Sequence, residues 1–319
     1  MTGGTGFVGR RLVARLHDRG DEVAVLVRSR ERGAGLVVAH LVEGDLSDRQ
    51  RLAEQMSGAD AVFHLAAIYG IGIPVSERRE MHEVNVTGTE NVLDAAQAAG
   101  VRRSVYVSTV NAFGDTGGRV VDEEYERPPG RYVSAYDRTK HLAHEAARRR
   151  IARGYPIVIV QPGVIYGPGD HSEIGSQIRR AARGRLAFVS FPNLGVNAVY
   201  VDDVVEGILL AHDRGRTGEA YVLGGEITTM RDLIRKTSEV AGRRPPRLTM
   251  PTALMKPLVP VGPLVGRLLG TSPNLHELIS ASDGVTYWAT DAKARAELGY
   301  APRPLDEGLA RTVRRRDDL

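Results

Sequence analysis

The stretch MTGGTGFVGRRL, Met1–Leu12, decides the fold of this chain. Its glycines fall in the spacing G-x-x-G-x-x-G at Gly3, Gly6 and Gly9, and Gly4 also completes G-x-G-x-x-G. Glycines in this spacing are typical of the tight turn between a buried strand and a helix, where main-chain amides can approach a phosphate. The stretch therefore predicts a nucleotide site at the amino end of a helix.

Almost nothing precedes this turn in the sequence. In a doubly wound sheet the strand ahead of the glycines is central, with a neighbour on each side. We therefore expect Met1 to occupy the position of a strand residue, with the first strand largely missing. The natural protein is expected to begin several residues upstream.

Composition excludes several classes of function. The 319 residues include no cysteine, so disulfides, thiolate metal sites and a cysteine nucleophile are excluded, and no metal site is predicted. The formal charge is +4, but the basic residues are scattered among acids, so nucleic-acid binding is not expected. No signal peptide or bilayer-spanning apolar run is found, and a cytoplasmic location is the expectation.

The first half of the chain alternates short β-branched runs with amphipathic stretches. The predicted strands are 22–27, 37–42, 61–66, 104–109 and 156–160, and the predicted helices between them are 8–19, 49–56, 80–99 and 135–153. The near-continuous apolar runs indicate buried parallel strands. This order predicts an α/β fold of the Rossmann type, with a doubly wound parallel sheet.

The second half is less regular. We assign residues 1–163 to a dinucleotide-binding domain and residues 164–319 to a mixed region with the last sheet strands and a smaller substrate lobe. The predicted helices here are 173–183, 202–212, 230–241 and 275–282, and the predicted strands are 187–191, 198–201 and 220–223. The apolar, proline-punctuated stretch 246–273 is interpreted as a lid over the substrate, with contact to a membrane or lipid-like substrate as the alternative.

Two residues that follow predicted strands, Arg28 and Asp45, are candidates for contact with the nucleotide. Arg28 stands where the ribose-reading residue should fall, and a guanidinium there can pair with a 2′-phosphate, which favours NADP over NAD. Arg10 and Arg30 are candidate helpers. Asp45 is placed to hold the adenine amine, although it could equally cap the helix that begins near residue 49. A solvated arginine at a strand end is the alternative for Arg28.

Tyr136 and Lys140 lie one helical turn apart in YDRTK, so both project from one helix face. An ammonium near a phenol favours the phenolate and is expected to lower the tyrosine pKa, which suits proton transfer to or from an alcohol. A predicted strand upstream ends in the hydroxyl pair Ser108 and Thr109. Together these residues predict a site for hydride and proton exchange at a carbinol carbon.

With the glycine turn, these residues resemble the extended short-chain dehydrogenase/reductase family, also called the NAD-dependent epimerase/dehydratase family, over nearly the whole chain. HLAA (64–67), NVTGTENVL (85–93), PGVIYGPGD (162–170) and YVDDVVEGI (200–208) match that family in order. The resemblance implies that Thr109 orients the substrate, Tyr136 is the acid/base, and Lys140 tunes Tyr136 and binds the nicotinamide ribose. The cofactor residues that it implies are Gly3, Gly6, Phe7, Val8, Gly9, Arg28, Asp45, Leu46, Ala66, Ala67, Tyr136, Lys140 and Val164.

Family members catalyse several reactions, and single residues separate them. Dehydratases carry Asp-Glu directly after the threonine, where this chain has Val110 and Asn111, so water elimination is discounted. Val196 and Asn197 stand where many sugar-nucleotide enzymes place a diphosphate-binding arginine, and Arg179, Arg180 and Arg183 are the candidate substitutes for it. The sequence looks more like the dihydroflavonol-reductase and hydroxysteroid-dehydrogenase branch.

We therefore expect a reductase or alcohol dehydrogenase that uses NADP, with NAD as an alternative cofactor, on a bulky, apolar ketone or secondary alcohol. A sugar-nucleotide 4-epimerase with the same residues and a non-catalytic NADP-binding sensor are the alternatives. Because family members often dimerise, a homodimer is a further expectation.

Overall fold

The computed structural model of the chain describes residues 1–36, 39–250 and 274–314. Its strands are β1 (Ala24–Val27), β2 (His40–Glu43), β3 (Ala61–His64), β4 (Arg103–Val107), β5 (Ile157–Pro162), β6 (Val164–Tyr166), β7 (Phe188–Ser190), β8 (Gly195–Tyr200), β9 (Ala220–Leu223), β10 (Glu226–Thr229) and β11 (Leu248–Met250). Its α-helices are α1 (Phe7–Asp18), α2 (Arg30–Gly33), α3 (Arg49–Gln55), α4 (Arg78–His82), α5 (Gly88–Ala98), α6 (Ala135–Ile151), α7 (Glu173–Ala182), α8 (Val201–Arg214), α9 (Met230–Val240), α10 (Leu275–Ser280), α11 (Ala292–Leu298) and α12 (Leu305–Arg314).

The main sheet is parallel and is joined through Thr2. β1 pairs with β2, and β3, β4, β5 and β9 follow one another in a second ladder. Thr2 forms a parallel bridge to Leu26 of β1 and another to His64 of β3. Its backbone therefore lies between β1 and β3, the place of the first strand in a doubly wound sheet.

Helices cover both faces of this sheet. Successive residues of a strand face opposite ways, so Val105 and Tyr106 of β4 enter different cores. Val105 belongs to the core with α1 and α8, whereas Tyr106 belongs to the core with α5 and α6. The predicted Rossmann-type α/β fold is confirmed.

A smaller layer follows β5. β8 pairs with β6 in parallel and with β10 in antiparallel orientation, and Ile178 of α7, Leu233 of α9 and Leu309 of α12 fill the core against this sheet. Strand β10 and helices α11 and α12 were not predicted from the sequence.

The predicted helix at 80–99 is a composite in the structure. A π-helical segment at Glu83–Thr87 separates α4 from α5. Within it, the buried Asn85 side chain accepts the Ile68 N–H through Oδ1 (2.7 Å) and donates to the Ile68 carbonyl through Nδ2 (2.9 Å). This pairing ties the helix to the loop after β3.

Most of the predicted lid lies outside the described residues. Only 246–250 of the stretch 246–273 are described, and β11 within them pairs in parallel with β7. Within the described ranges, every helix is too short or too polar to cross a bilayer.

The glycine turn packs tightly against its own helix. Gly3 has a φ of +73°, and a Cβ there would lie 2.6 Å from the Ala66 nitrogen. A Cβ on Gly9 would collide with the Gly3 carbonyl oxygen and lie 2.8 Å from the Cα of Gly4. Because both neighbours are backbone atoms, only glycine lets α1 begin so close to the sheet.

We expect the substitution Gly9→Ala to lower the free energy of unfolding by about 1–3 kcal/mol, because the added methyl forces the helix away from the turn. Urea unfolding measures this change. The matched control is Gly88→Ala in α5, where the new Cβ would lie 3.0 Å from Cδ1 and 3.1 Å from Cβ of Leu46 but no closer than 3.5 Å to a backbone atom. The control should stay within about 1 kcal/mol of the parent protein. Equal stability of the two variants would contradict the close contact at the turn.

Candidate active site

A cavity of about 860 Å³ lies at the carboxyl edge of the main sheet, where the strands end. It is lined by residues from both halves of the chain. The predicted site residues that line it are Gly6, Phe7, Thr109, Tyr136 and Val164. Ligand sites of doubly wound sheets lie at this edge, so the cavity is the candidate active site.

The glycine turn has the features of a diphosphate cradle. Gly6 is the residue at the N-cap of α1, and as a glycine it offers no side chain to the free N–H groups of the first turn. The first turn of α1 also holds no acidic side chain, so the positive end of the helix dipole is not neutralised there. The residues present therefore fit a dinucleotide diphosphate. Arg10 also lines the cavity, with its Nε donating to the Thr5 carbonyl at 2.9 Å.

The residues predicted to read the adenosine lie at the ends of β1 and β2. Hydrogen bonds with Ser47 lower the pKa of Asp45, and the positive charge of Arg28 makes a smaller contribution in the same direction. Arg28 itself is exposed. Asp45 Oδ1 accepts the Ser47 N–H at 2.7 Å. The cap of α3 is Asp48, which accepts the Arg51 N–H at 3.0 Å, so the alternative role of Asp45 as that cap is wrong.

Other predicted cofactor residues lie along the same edge without lining the cavity. Ala66 and Ala67 follow β3, and the Ala66 nitrogen lies 3.4 Å from the Thr2 hydroxyl. Leu46 follows β2, and its carbonyl accepts from Asn91 Nδ2 at 2.9 Å. Arg30 is held by Glu43, with Nε 3.7 Å from a carboxylate oxygen. They extend the site from the cavity toward β2.

Tyr136 lies in the first turn of α6, which Ser134 caps by accepting the Asp137 N–H at 3.0 Å. Its ring is buried and meets the edge of Tyr69, with ring centroids 4.9 Å apart. Burial, with smaller contributions from Tyr69 and Tyr106, raises the pKa of Tyr136 above its usual value. The expected lowering by the lysine is therefore wrong in direction, because the loss of hydration on burial disfavours the phenolate.

Lys140 lies behind the cavity wall, one turn along α6. Its Nζ donates to the Val107 carbonyl at 3.2 Å and lies 5.4 Å from the centroid of the Tyr106 ring. Burial lowers the pKa of Lys140 from 10.5 to about 8. At pH 7 the ammonium form still predominates, so a positive charge is present in the first two turns of α6.

Thr109 follows β4 and caps a short 3₁₀ turn at Val110–Phe113. Its Oγ1 accepts the Asn111 N–H at 3.3 Å and donates to Asn111 Oδ1 at 3.2 Å, with the Pro162 carbonyl at 3.4 Å. The hydroxyl is thus fixed at the cavity wall by its own turn. Ser108 beside it bonds to the buried His144 at 3.0 Å.

Two carboxylates that the sequence analysis missed hold the amino end of α6. Asp137 is fully buried and pairs with Arg127, Nη1 to Oδ1 at 2.5 Å. Glu277 of α10 accepts the Ala135 N–H at 2.6 Å and pairs with Arg78 at 2.6 Å. Glu277 is 142 residues from Ala135 in sequence, so no local pattern could have shown this contact.

Two aromatic residues of the cavity were also not predicted from the sequence. Tyr69 and Tyr287 both line it beside Tyr136. Tyr69 follows β3 by five residues, and its place after a predicted strand was a usable signal. Tyr287 comes from the segment after α10, where periodicity gave no indication.

Comparisons with known proteins agree with this geometry. The family model described as the NAD dependent epimerase/dehydratase family matches residues 1–224. A Synechocystis sp. protein provisionally named dihydroflavonol 4-reductase is 36% identical over 98% of this chain and 92% of its own length. The 4-hydroxy-2-methyl-3-oxo-4-farnesyl-3,4-dihydroquinoline-1-oxide ketoreductase of Stigmatella aurantiaca is 32% identical over 95% of this chain and 91% of its own length.

A solved structure of a dehydratase also matches the fold of this chain. The crystal structure of a double mutant of dTDP-glucose 4,6-dehydratase from Streptomyces venezuelae, with NAD bound, superposes with a TM-score of 0.78 at 27% identity. The match covers 99% of this chain and 96% of that one. The chain therefore belongs to the NAD dependent epimerase/dehydratase family and is an enzyme of the extended short-chain dehydrogenase/reductase type.

Proposed function

We propose that this enzyme reduces a bulky, apolar ketone to a secondary alcohol, and runs the reverse reaction, with NADP as its preferred cofactor. The observation that carries the proposal is the shared cavity, in which Thr109 and Tyr136 face the same space as the glycine turn at Gly6. A substrate carbonyl and a nicotinamide ring can meet only where these groups converge.

The bound cofactor would supply or accept the hydride. Tyr136 carries the proton, and because burial raises its pKa it remains protonated near neutral pH and can donate to the developing alkoxide. The Thr109 side chain lies at the same wall and limits where the carbonyl oxygen can lie beside the phenol, which orients the substrate. The Lys140 ammonium stabilises the phenolate that is left after the proton has moved.

The lining of the cavity supports an apolar substrate. Apolar side chains contribute much of the described wall: Phe7, Ile71, Ile165, Ile174, Leu194 and Val196. The arginines considered as diphosphate ligands, Arg179, Arg180 and Arg183, do not line it, and Arg179 instead donates to the Asp170 carbonyl. These contacts favour a ketone over a sugar nucleotide.

The two residues that follow Thr109 also argue against water elimination. Val110 is fully buried and apolar, and Asn111 offers an amide where a dehydratase would need a carboxylate. Neither side chain can exchange a proton with a sugar carbon near neutral pH.

The preference for NADP rests on Arg28 at the end of β1. Its guanidinium is exposed at the end of β1, where it is available to a 2′-phosphate.

We expect Tyr136→Phe to lower NADPH-dependent ketone reduction at least about 100-fold, because the phenyl ring has no proton to donate. The measurement is NADPH oxidation, followed by absorbance, with a panel of ketones. NADP should still raise the Tm of the variant. The matched control is Tyr155→Phe, which removes a hydroxyl just ahead of β5 at the opposite edge of the sheet. Undiminished turnover by Tyr136→Phe would rule out the assigned proton donor.

The same assay separates a reductase from a 4-epimerase. A reductase consumes NADPH in proportion to the ketone reduced. Conversion of a sugar nucleotide without net change in cofactor absorbance would instead identify the epimerase.

We expect Arg28→Ala to weaken NADP binding by on the order of 10-fold or more, since a charged hydrogen bond to the 2′-phosphate is lost, and to leave NAD binding unchanged. Titration calorimetry with both cofactors measures the two affinities. Arg235→Ala, which removes the same charge from the surface of α9, is the control. An equal loss for NAD and NADP would contradict the 2′-phosphate role.

We expect Lys140→Met to stabilise the protein without cofactor at pH 7 and to reduce its activity. The folded chain binds the Lys140 proton less tightly than the unfolded chain, so burying the charge costs on the order of 3 kcal/mol below about pH 8. Losing the hydrogen bond to Val107 offsets about 1 kcal/mol of the gain. The stability of the parent protein should rise between pH 8 and 10.5, and the advantage of the variant should shrink across this range.

Urea unfolding of both proteins at pH 7 and pH 10 measures that difference. Lys293→Met is the control, because Lys293 pairs with Glu219 at 2.6 Å and has no comparable buried charge to relieve. A constant difference between Lys140→Met and the parent at both pH values would contradict the lowered pKa.

A further inference from the structure

Asn111 is hydrogen-bonded to Thr109 but has no role in the reaction described above. It is the second residue of the 3₁₀ turn that Thr109 caps, and it lines the same cavity. Its Oδ1 accepts from the Thr109 hydroxyl at 3.2 Å, and its N–H donates to the same oxygen at 3.3 Å. The amide plane of Asn111 is therefore held against Thr109.

This arrangement leaves the amide nitrogen unused. An asparagine amide has two N–H donors on Nδ2, and within the described part of the chain neither of them has an acceptor. Oδ1 is engaged by Thr109, which fixes the orientation of the group. Nδ2 is consequently a donor in a cavity that is otherwise largely apolar.

We propose that Asn111 determines substrate specificity by donating from Nδ2 to a second oxygen of the substrate, so that the enzyme favours ketones with another carbonyl or hydroxyl oxygen nearby. This inference rests on the proposed ketone reduction. An unsatisfied donor in an apolar pocket penalises a substrate that offers no acceptor, so the preference follows from the cost of leaving Nδ2 unpaired.

The geometry limits where the second oxygen is placed. Nδ2 and Oδ1 are bonded to the same carbon, and Oδ1 lies 3.2 Å from Thr109 Oγ1. If the reacting carbonyl lies against Thr109 with its oxygen toward the Tyr136 hydroxyl, the oxygen that reaches Nδ2 belongs to the adjacent carbon or the next one. The substrate class is thus a 1,2- or 1,3-dioxygenated ketone with an apolar remainder.

The acceptor is expected to be a neutral oxygen. The arginines that line the described part of the cavity are Arg10 and Arg11, both on α1 beside the glycine turn. Tyr69, Leu194 and Tyr287 instead provide rings and an aliphatic side chain, and an amide donor among them suits a carbonyl or hydroxyl better than a carboxylate.

The test compares three phenyl ketones that differ in their second oxygen: 1-phenylpropan-1-one, 1-phenylpropane-1,2-dione and 1-phenylbutane-1,3-dione. The kcat/KM of NADPH oxidation is measured for each ketone with the parent enzyme and with Asn111→Asp and Asn111→Leu. In Asn111→Asp the side chain keeps an oxygen that can accept from Thr109 but has no N–H donor. Asn111→Leu removes the acceptor and the donor together. Because diones differ from monoketones in intrinsic reactivity, the informative quantity is the change in the dione-to-monoketone ratio between proteins.

We expect this ratio to fall about 10-fold or more in both variants for at least one of the two diones. The control Asn193→Asp, at an exposed position outside the cavity, should leave the ratio unchanged. Equal losses for monoketone and diones in Asn111→Asp would overturn the inference and leave Asn111 as a residue that only positions Thr109.

Titration calorimetry distinguishes a failure of the proposed ketone reduction from a failure of the proposed role of Asn111. If the parent enzyme oxidises NADPH with none of the three ketones, ketone reduction is refuted for this class. The Asn111 inference is then decided by binding of the same ketones to the NADP-saturated protein. A dione preference that Asn111→Asp abolishes supports the donor, and identical affinities in both proteins overturn it.

Discussion

The close approach of α1 to the glycine turn is the constraint on which the other features of the site depend. Gly9 packs against the Gly3 carbonyl with no space for a Cβ, so the helix begins directly above the sheet. Its first-turn amides therefore lie at the carboxyl edge, beside the ends of β4 and β5. If the helix were displaced outward, the glycine turn would separate from Thr109 and Tyr136 in the cavity wall, and the proposed hydride and proton transfer would lose their common geometry.

Behind that edge, neutral polar groups hold the sheet together. His64 bonds through its two ring nitrogens to the hydroxyls of Thr2 and Thr89, at 2.7 and 2.9 Å. Burial, and then repulsion from Lys140, lowers the pKa of His64 to about 3, so the imidazole is neutral near pH 7. A neutral ring satisfies both hydroxyls without adding a second cation beside Lys140, whose desolvation is already costly.

The sequence predicted what is set locally and failed where distant segments meet. Glycine spacing, strand alternation and the one-turn separation of Tyr136 and Lys140 are local signals, and they gave the fold class and residues that line or adjoin the cavity. The cap of α3 at Asp48 is also a local signal, three residues ahead of the Arg51 N–H that it accepts. Glu277 at the amino end of α6 and Tyr287 in the wall depend on packing between distant segments that periodicity does not encode. The pKa of Tyr136 failed for the same reason, because burial is a property of the folded chain.

The burial of Tyr136 affects the two directions of the proposed reaction differently. The same loss of hydration raises the pKa of Tyr136 and lowers that of Lys140 to about 8, and at pH 7 both groups still carry their protons. In the proposed ketone reduction, a protonated phenol at Tyr136 is the form that can donate a proton to the developing alkoxide. Alcohol oxidation must instead begin by removing a proton from a phenol whose anion is poorly solvated. If Tyr136 has the proposed role, its burial therefore suits reduction near neutral pH, and oxidation becomes easier as pH rises.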